Sequence, residues 1–253
     1  NRAVVALCRA LSSINVAFHL VASSETDPIF KTSWASFVSL TRSDRQVDLA
    51  LFDSVRRSVD NNQELLYCPT TEFINVFVLE NRNELENLGF TVILPSTDIY
   101  GQLTNKSQSI HLIKNISDLK SPQHISWQVA KAPCIFKPNS NLQDGEVLYP
   151  IMCLIQSKVE ETKQRLDPKQ WFVQKYIQGQ SYYLCGYLSR NGGVRYYWQT
   201  NLMQQQNGKS IVLARTGANL DIDENQFFDG LANMGYFGPC MMEIIEEADG
   251  QLN

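Results

Sequence analysis

The chain has 253 residues, of which 43% are hydrophobic and 19% charged, so it can build a real core and is not disordered throughout. Its formal net charge of −4 and pI near 5.4 argue against a protein that tracks nucleic-acid phosphates, which normally carries a basic excess. No apolar stretch approaches the roughly 20 residues that span a bilayer, and the first residues lack the pattern of a secretion signal. The expectation is therefore a soluble, cytoplasmic protein with no membrane or nucleic-acid partner.

Residues 2–11 place Val4, Val5, Leu7, Cys8 and Leu11 at helical spacing. Ile14, Val16, Phe18 and Leu20 then alternate as one side of a strand. A helix is predicted over 44–59 and a short strand over 65–68, ending at Pro69. Thr70 and Thr71 are N-cap candidates for a helix to about 88, with Gly89 at the usual stop position and a strand over 90–94. Strand and helix alternating at this spacing favour a parallel sheet with right-handed crossovers. Residues 1–103 are read as a Rossmann-like lobe that begins on a helix, its first strand lying outside the sequence.

The second half has another rhythm. A short helix is predicted over 104–114, a strand over 134–137, a helix over 151–165 and a strand over 171–177. Long β segments follow over 181–190 and 194–203, joined at Asn191-Gly192, a pair that suits a type I′ hairpin with two positive φ angles. Asn207-Gly208 marks another turn. A helix over 225–234 closes at Gly235, and a last strand over 240–248 enters a turn at Asp249-Gly250. The fold class is α/β and α+β, a parallel lobe followed by two mixed pieces.

The six cysteines form no C-x-x-C pair and sit mostly in apolar runs such as Pro133-Cys134-Ile135-Phe136, as buried thiols do in a reducing cytosol. His19, His111 and His124 are too scattered to frame a zinc site. Four other features carry possible chemistry. Lys137 closes the apolar strand Ile135-Phe136-Lys137-Pro138, as either a solvated strand end or a phosphate ligand. Val173-Gln174-Lys175-Tyr176-Ile177-Gln178-Gly179-Gln180 leaves a strand through a glycine bend, either a plain hinge or a binding edge. Glu243 stands among apolar neighbours in Met241-Met242-Glu243-Ile244-Ile245, which points to a sheet-edge salt bridge or a metal. Lys106 opens the helix that leads into the second half.

In this order the four resemble the ATP-grasp superfamily, whose members include carbamoyl-phosphate synthetase, biotin carboxylase and the carboxylate–amine ligases. The resemblance covers nearly the whole chain and implies a Rossmann-like preceding domain over 1–103, then the two ATP-grasp subdomains over 104–172 and 173–253, the second incomplete. It implies ATP and Mg²⁺ as cofactors and a small-molecule carboxylate as substrate; the sequence leaves the oligomeric state open, a homodimer being one option. Lys106 and Lys137 would meet the triphosphate. The backbone of Lys175 and Ile177 would read the adenine edge, with Gln174 beside the adenine amino group and Gln180 near the ribose. Glu243 would hold Mg²⁺, and Arg215 would approach the γ-phosphate. The implied activity is an ATP-dependent ligase that activates a carboxylate as an acyl phosphate for attack by an amine or other nucleophile. The alternative is a non-catalytic nucleotide-binding or assembly protein on the same fold.

Three departures bear on that choice. The loop 139–148 has one glycine, Gly145, between Asp144 and Glu146, which is a poor phosphate cradle. The sequence stops before a further strand that would bring the remaining metal ligands. Glutamine stands at Gln174 and Gln180, where glutamate is common in the family.

Overall fold

The computed structural model describes residues 2–43, 47–60, 62–117, 119–140, 142–143, 146–205, 210–218 and 220–253. The chain divides into two compact units, Asn1–Leu94 and Pro95–Asn253.

The first unit opens with helix α1 (Arg2–Ser13), which buries Cys8. Asn15, at φ +57°, closes this helix, and Val16 donates its amide to Leu11 O at 3.0 Å. Ile14 and Val16 thus belong to the helix end, and the alternating run expected there forms a strand only at its far end, β1 (Leu20–Ala22). It pairs in parallel with β2 (Val38–Thr41), which sequence patterning missed. Helix α2 (Leu49–Arg57) starts on Asp48, whose side chain accepts from the Leu51 amide. Strand β3 (Leu65–Tyr67) precedes α3 (Glu72–Glu80) and α4 (Arg82–Asn87), two helices where one was expected. Their junction is Asn81, whose side chain bonds back to Phe77 O at 2.9 Å and competes with the helix ladder. Strand β4 (Phe90–Val92) then pairs with β3, again in parallel.

The second unit begins with α5 (Thr97–Thr104) and α6 (Lys106–Ile116). Asn105 ends the first and caps the second, accepting from the Ser107 and Gln108 amides; the helix expected over 104–114 is α6, and α5 before it was not expected. Next come β5 (His124–Ile125), β6 (Cys134–Pro138), β7 (Leu142–Gln143), β8 (Glu146–Val147) and β9 (Ile151–Cys153). After α7 (Gln156–Arg165) and β10 (Trp171–Lys175), an antiparallel sheet of order β5-β10-β6-β9 is complete. The helix expected over 151–165 therefore loses its first residues to β9, because apolar Ile151, Met152 and Cys153 complete the buried face of β6. Phe136, Cys134, Cys153, Val159, Trp171 and Val173 form the core of this layer.

The larger sheet has the order β13-β12-β11-β14 and is antiparallel throughout. Its strands are β11 (Gly179–Leu188), β12 (Val194–Gln204), β13 (Ile211–Thr216) and β14 (Gly238–Glu247), with α8 (Glu224–Asn233) between the last two. At the β11–β12 turn only Gly192 takes a positive φ, +83°, and its amide bonds Ser189 O at 3.0 Å. The hairpin stands, but as a longer turn closed by one left-handed glycine rather than type I′. The Asn207-Gly208 turn lies outside the described residues. One face of the sheet packs Leu184, Leu188, Trp198, Met242 and Ile244 against Phe227, Phe228 and Leu231 of α8. Strand β13 is the edge, exposed from Val212 to Thr216.

Candidate functional site

The residues singled out from the sequence all fall in the second unit. The chain leaves β10 at Lys175 and enters β11 at Gly179, so Tyr176, Ile177 and Gln178 are the hinge between the two sheets. Gly179 is required there, because a Cβ would land on the Glu246 carbonyl of the neighbouring strand. Ile177 is buried, and among the described residues its backbone makes no backbone hydrogen bond. The Lys175 amide is committed to Gln123 O at 2.9 Å, and its side chain is exposed.

Gln174 is only 1% exposed. Its Nε2 donates to Pro122 O at 3.4 Å, while its buried Oε1 has no partner among the described residues. An acceptor left so costs about 1–3 kcal/mol, and the hinge beside it is where a donor would have to arrive.

Positive charge collects toward the end of β10 away from the hinge, where Lys137 pairs with Phe172. Lys137, on β6, is half-buried, and burial holds its ammonium below the ordinary lysine pKa while the charge of Glu243 pulls it back up. Lys106 opens α6, and its amide bonds Asn139 O at 2.9 Å, fastening the helix N-terminus to the segment two residues past Lys137. Asn139 is itself held by Gln170 O at 2.8 Å and Lys169 O at 2.9 Å. A lysine in a helix's first turn stands against the helix dipole, so the two together favour an anion. His124 of β5 is kept below its usual pKa by burial and by His111, Lys114 and Lys137 around it.

Glu243 does not lie among buried apolar neighbours. It projects from the open face of β14, the face that carries the exposed Met241, and the strand's apolar residues Met242 and Ile244 point the other way. Its Oε1 accepts from Ser181 Oγ at 2.8 Å, Ser181 Oγ accepts from Asn201 Nδ2 at 2.8 Å, and Asn201 Oδ1 accepts from Gln199 Nε2 at 2.7 Å. This chain crosses β14, β11 and β12 and, among the described residues, fixes the carboxylate through Oε1. Tyr183, opposite Glu243, is pushed up to about 12 by burial first, then by the charges of Glu243 and Cys185. It stays a neutral phenol beside the carboxylate.

The register separates two other residues from this face. Arg215 sits opposite Thr200 and Gln180 opposite Glu246, both in rows that alternate with the Glu243 row. Tyr182, whose hydroxyl donates to Glu246 Oε2 at 2.8 Å, shares Arg215's field. Gln180 spends its Nε2 on the Ser181 and Asn201 carbonyls. The structure thus brings Lys137, Glu243, Gln174 and the hinge together in one unit, with Lys106 tied to the end of β6, and sets Arg215 and Gln180 across the sheet. Sequence reading missed Ser181, Asn201 and Gln199. The available signal was polar residues at alternate positions in otherwise apolar strands, which a hydrophobic pattern passes over. Of the loop 139–148, residues 141, 144 and 145 lie outside the described residues. Among the described residues no three His, Cys, Asp or Glu side chains gather into a metal cage, and no helix is long and apolar enough to cross a membrane.

No protein-family model matches the sequence, and no curated protein matches it either. Solved structures do. The biotin carboxylase domain of 2-oxoglutarate carboxylase from Hydrogenobacter thermophilus, in complex with Mg-ADP, ADP and bicarbonate, matches with a TM-score of 0.68 at 12% identity, over 97% of this chain and 60% of that one. N5-carboxyaminoimidazole synthetase from Staphylococcus aureus, complexed with ADP, matches with a TM-score of 0.67 at 14% identity, over 96% and 64%. An L-amino acid ligase from Bacillus licheniformis matches with a TM-score of 0.62 at 13% identity, over 95% and 60%. The chain spans about three fifths of the length of these structures. They are ATP-grasp enzymes, and the chain has their fold.

Proposed function

We propose that the chain is the nucleotide-binding part of an ATP-dependent ligase. The observation that carries this reading is that Lys137 and Glu243 lie in each other's field. A cation from one sheet and a carboxylate from the other face each other's charge in the unit whose hinge follows an unpaired acceptor. A triphosphate with a divalent cation suits that arrangement, its phosphates taken by Lys137 and Lys106 and its metal by Glu243. Adenine's exocyclic amino group is the donor that Gln174 Oε1 lacks, and the free backbone of Ile177 suits the edge of the base.

Mg²⁺ fits a single carboxylate, since it keeps several waters and relies on phosphate oxygens for the rest. When bound, it would neutralise charge on the transferring phosphoryl group. The residues of this chain then act by position. Lys137 and Lys106 orient the phosphates, Ser181 and Asn201 hold Glu243 still, and the hinge fixes the base. In the reaction, a substrate carboxylate oxygen attacks the γ-phosphorus and the bond to the β,γ-bridging oxygen breaks, releasing ADP. An amine or other nucleophile then attacks the acyl carbon and inorganic phosphate leaves. Arg215 and Gln180, on the sheet's other face, take no part in these contacts.

Calorimetry with Mg-ATP tests the reading. Binding that falls at least about tenfold, ~1.4 kcal/mol, in Lys137→Ala and Glu243→Gln supports it. A chain that binds no nucleotide sinks it. The glycine-poor loop favours a second reading, a nucleotide-binding protein without turnover, under which both variants lose binding yet no carboxylate–amine pair releases ADP.

A further inference from the structure

We propose, on the nucleotide reading above, that binding takes up a proton at His124, so that Mg-ATP is held more tightly as pH falls through the histidine range. His124 of β5 has no part in the contacts assigned so far.

The strand register places His124 on the face that carries the proposed ligands. Gln174 pairs with His124 on one side and Ile135 on the other, and Phe172 pairs with Lys137. Residues 172 and 174 share one face of β10, so His124, Gln174, Phe172 and Lys137 stand together, opposite the core residues Trp171 and Val173. The imidazole is stacked on the Phe172 ring, with centroids 4.9 Å apart and planes 25° from parallel, which fixes its orientation. Its pairing partner Gln174 is the residue whose buried Oε1 has no donor among the described residues.

Among the described residues, the charges that act on His124 are all positive. His111 and Lys114, three residues apart on one face of α6, act from that helix and Lys137 acts from β6. From β10 it meets the neutral Phe172 and Gln174, while Lys175 alternates to the opposite face. Glu243 acts on Lys137 and is not among the charges that act on His124. His111, Lys114 and His124 are exposed, which leaves them open to an arriving anion. Such a cluster disfavours a charged imidazole in the free chain and attracts a polyanion.

A triphosphate supplies the missing negative charge. With its phosphates on Lys137 and Lys106, it offsets the lysine charge and turns the field at His124 in favour of the imidazolium. One proton passes from solvent to the free ring nitrogen, and no bond of the nucleotide changes. The folded chain with nucleotide then binds more protons than the chain without it. Affinity therefore rises as pH falls from the bound-state pKa of His124 to its lower free-state value, and is level below that.

The test is calorimetry of Mg-ATP binding from about pH 8 to pH 6 on the native chain, His124→Gln and His111→Gln. Two buffers of different ionisation enthalpy report the protons taken up, and the C2-proton resonance of His124, followed with and without Mg-ATP, assigns them. Protonation of the nucleotide itself is common to all three proteins and cancels in the ratio of affinities. The ratio of native to His124→Gln affinity should grow at least about threefold over that range. The His124 resonance should titrate at higher pH with Mg-ATP bound, and His111→Gln should keep the native dependence. Equal pH dependence in the native chain and His124→Gln overturns the inference and leaves the nucleotide reading standing, as does a shift confined to His111. No binding at any pH removes both.

Discussion

Gln174 separates two quantities that usually move together. Its Oε1 is unpaired and its Nε2 bond is long, so replacing the amide with an apolar side chain removes little that stabilises the fold. Gln174→Leu should keep or raise the urea midpoint while weakening Mg-ATP binding by roughly tenfold, about one hydrogen bond. Lys137 behaves similarly through charge. Its folded pKa lies below 10.5, so between that depressed value and 10.5 the unfolded chain holds the extra proton, and stability gains as pH rises through the window. Relative to Lys137→Met, the native chain should therefore close a stability deficit as pH rises toward 10.5. Denaturant midpoints at each pH, taken as a difference between the two proteins, cancel the tyrosines. Ser181→Ala would free Glu243 and should lower Mg-ATP affinity a few-fold, about 1 kcal/mol, with a smaller loss for ATP without metal. Lys137 and Glu243 were legible because each breaks an apolar strand. Ser181 was not, because its partners Asn201 and Glu243 lie 20 and 62 residues away and only the strand register brings them together.

At the scale of elements, the hinge carries the strongest steric demand. Gly179→Ala must push β11 from β14 where Gly179 meets Glu247, and should cost roughly 1–3 kcal/mol in urea unfolding. Because the same displacement moves Ile177 and Gln174, nucleotide affinity should fall with it. Long elements were readable from their pattern. The strand over 194–203 and the helix over 225–234 match β12 and α8 within a residue or so. Joined elements were not. Asn81 and Asn105 each end one helix and begin the next, and nothing in a 3.6-residue period reveals a residue that does both. Ile151–Cys153 was absorbed into a helix because three apolar residues carry no period of their own.

At the scale of the whole molecule, every proposed nucleotide ligand lies between Lys106 and Glu243, inside the unit Pro95–Asn253, which has its own two cores. That unit expressed alone should bind Mg-ATP within about threefold of the full chain, ~0.7 kcal/mol, by calorimetry. A larger loss would mean the first unit contributes to nucleotide binding. The order of the second unit was legible as a sequence of hinges and turns. How its strands are ordered was not, since β5-β10-β6-β9 interleaves segments up to 50 residues apart. One feature of that topology reaches beyond the single chain. The outer edge of β13 offers Val212, Leu213 and Ala214 with no charge until Arg215, and Leu202 and Met203 stand exposed on β12 beside it. Such an edge is a ready template for stacking molecules into fibres. Val212→Lys on this edge strand should therefore slow the rise of light scattering in concentrated solution while leaving Mg-ATP affinity unchanged.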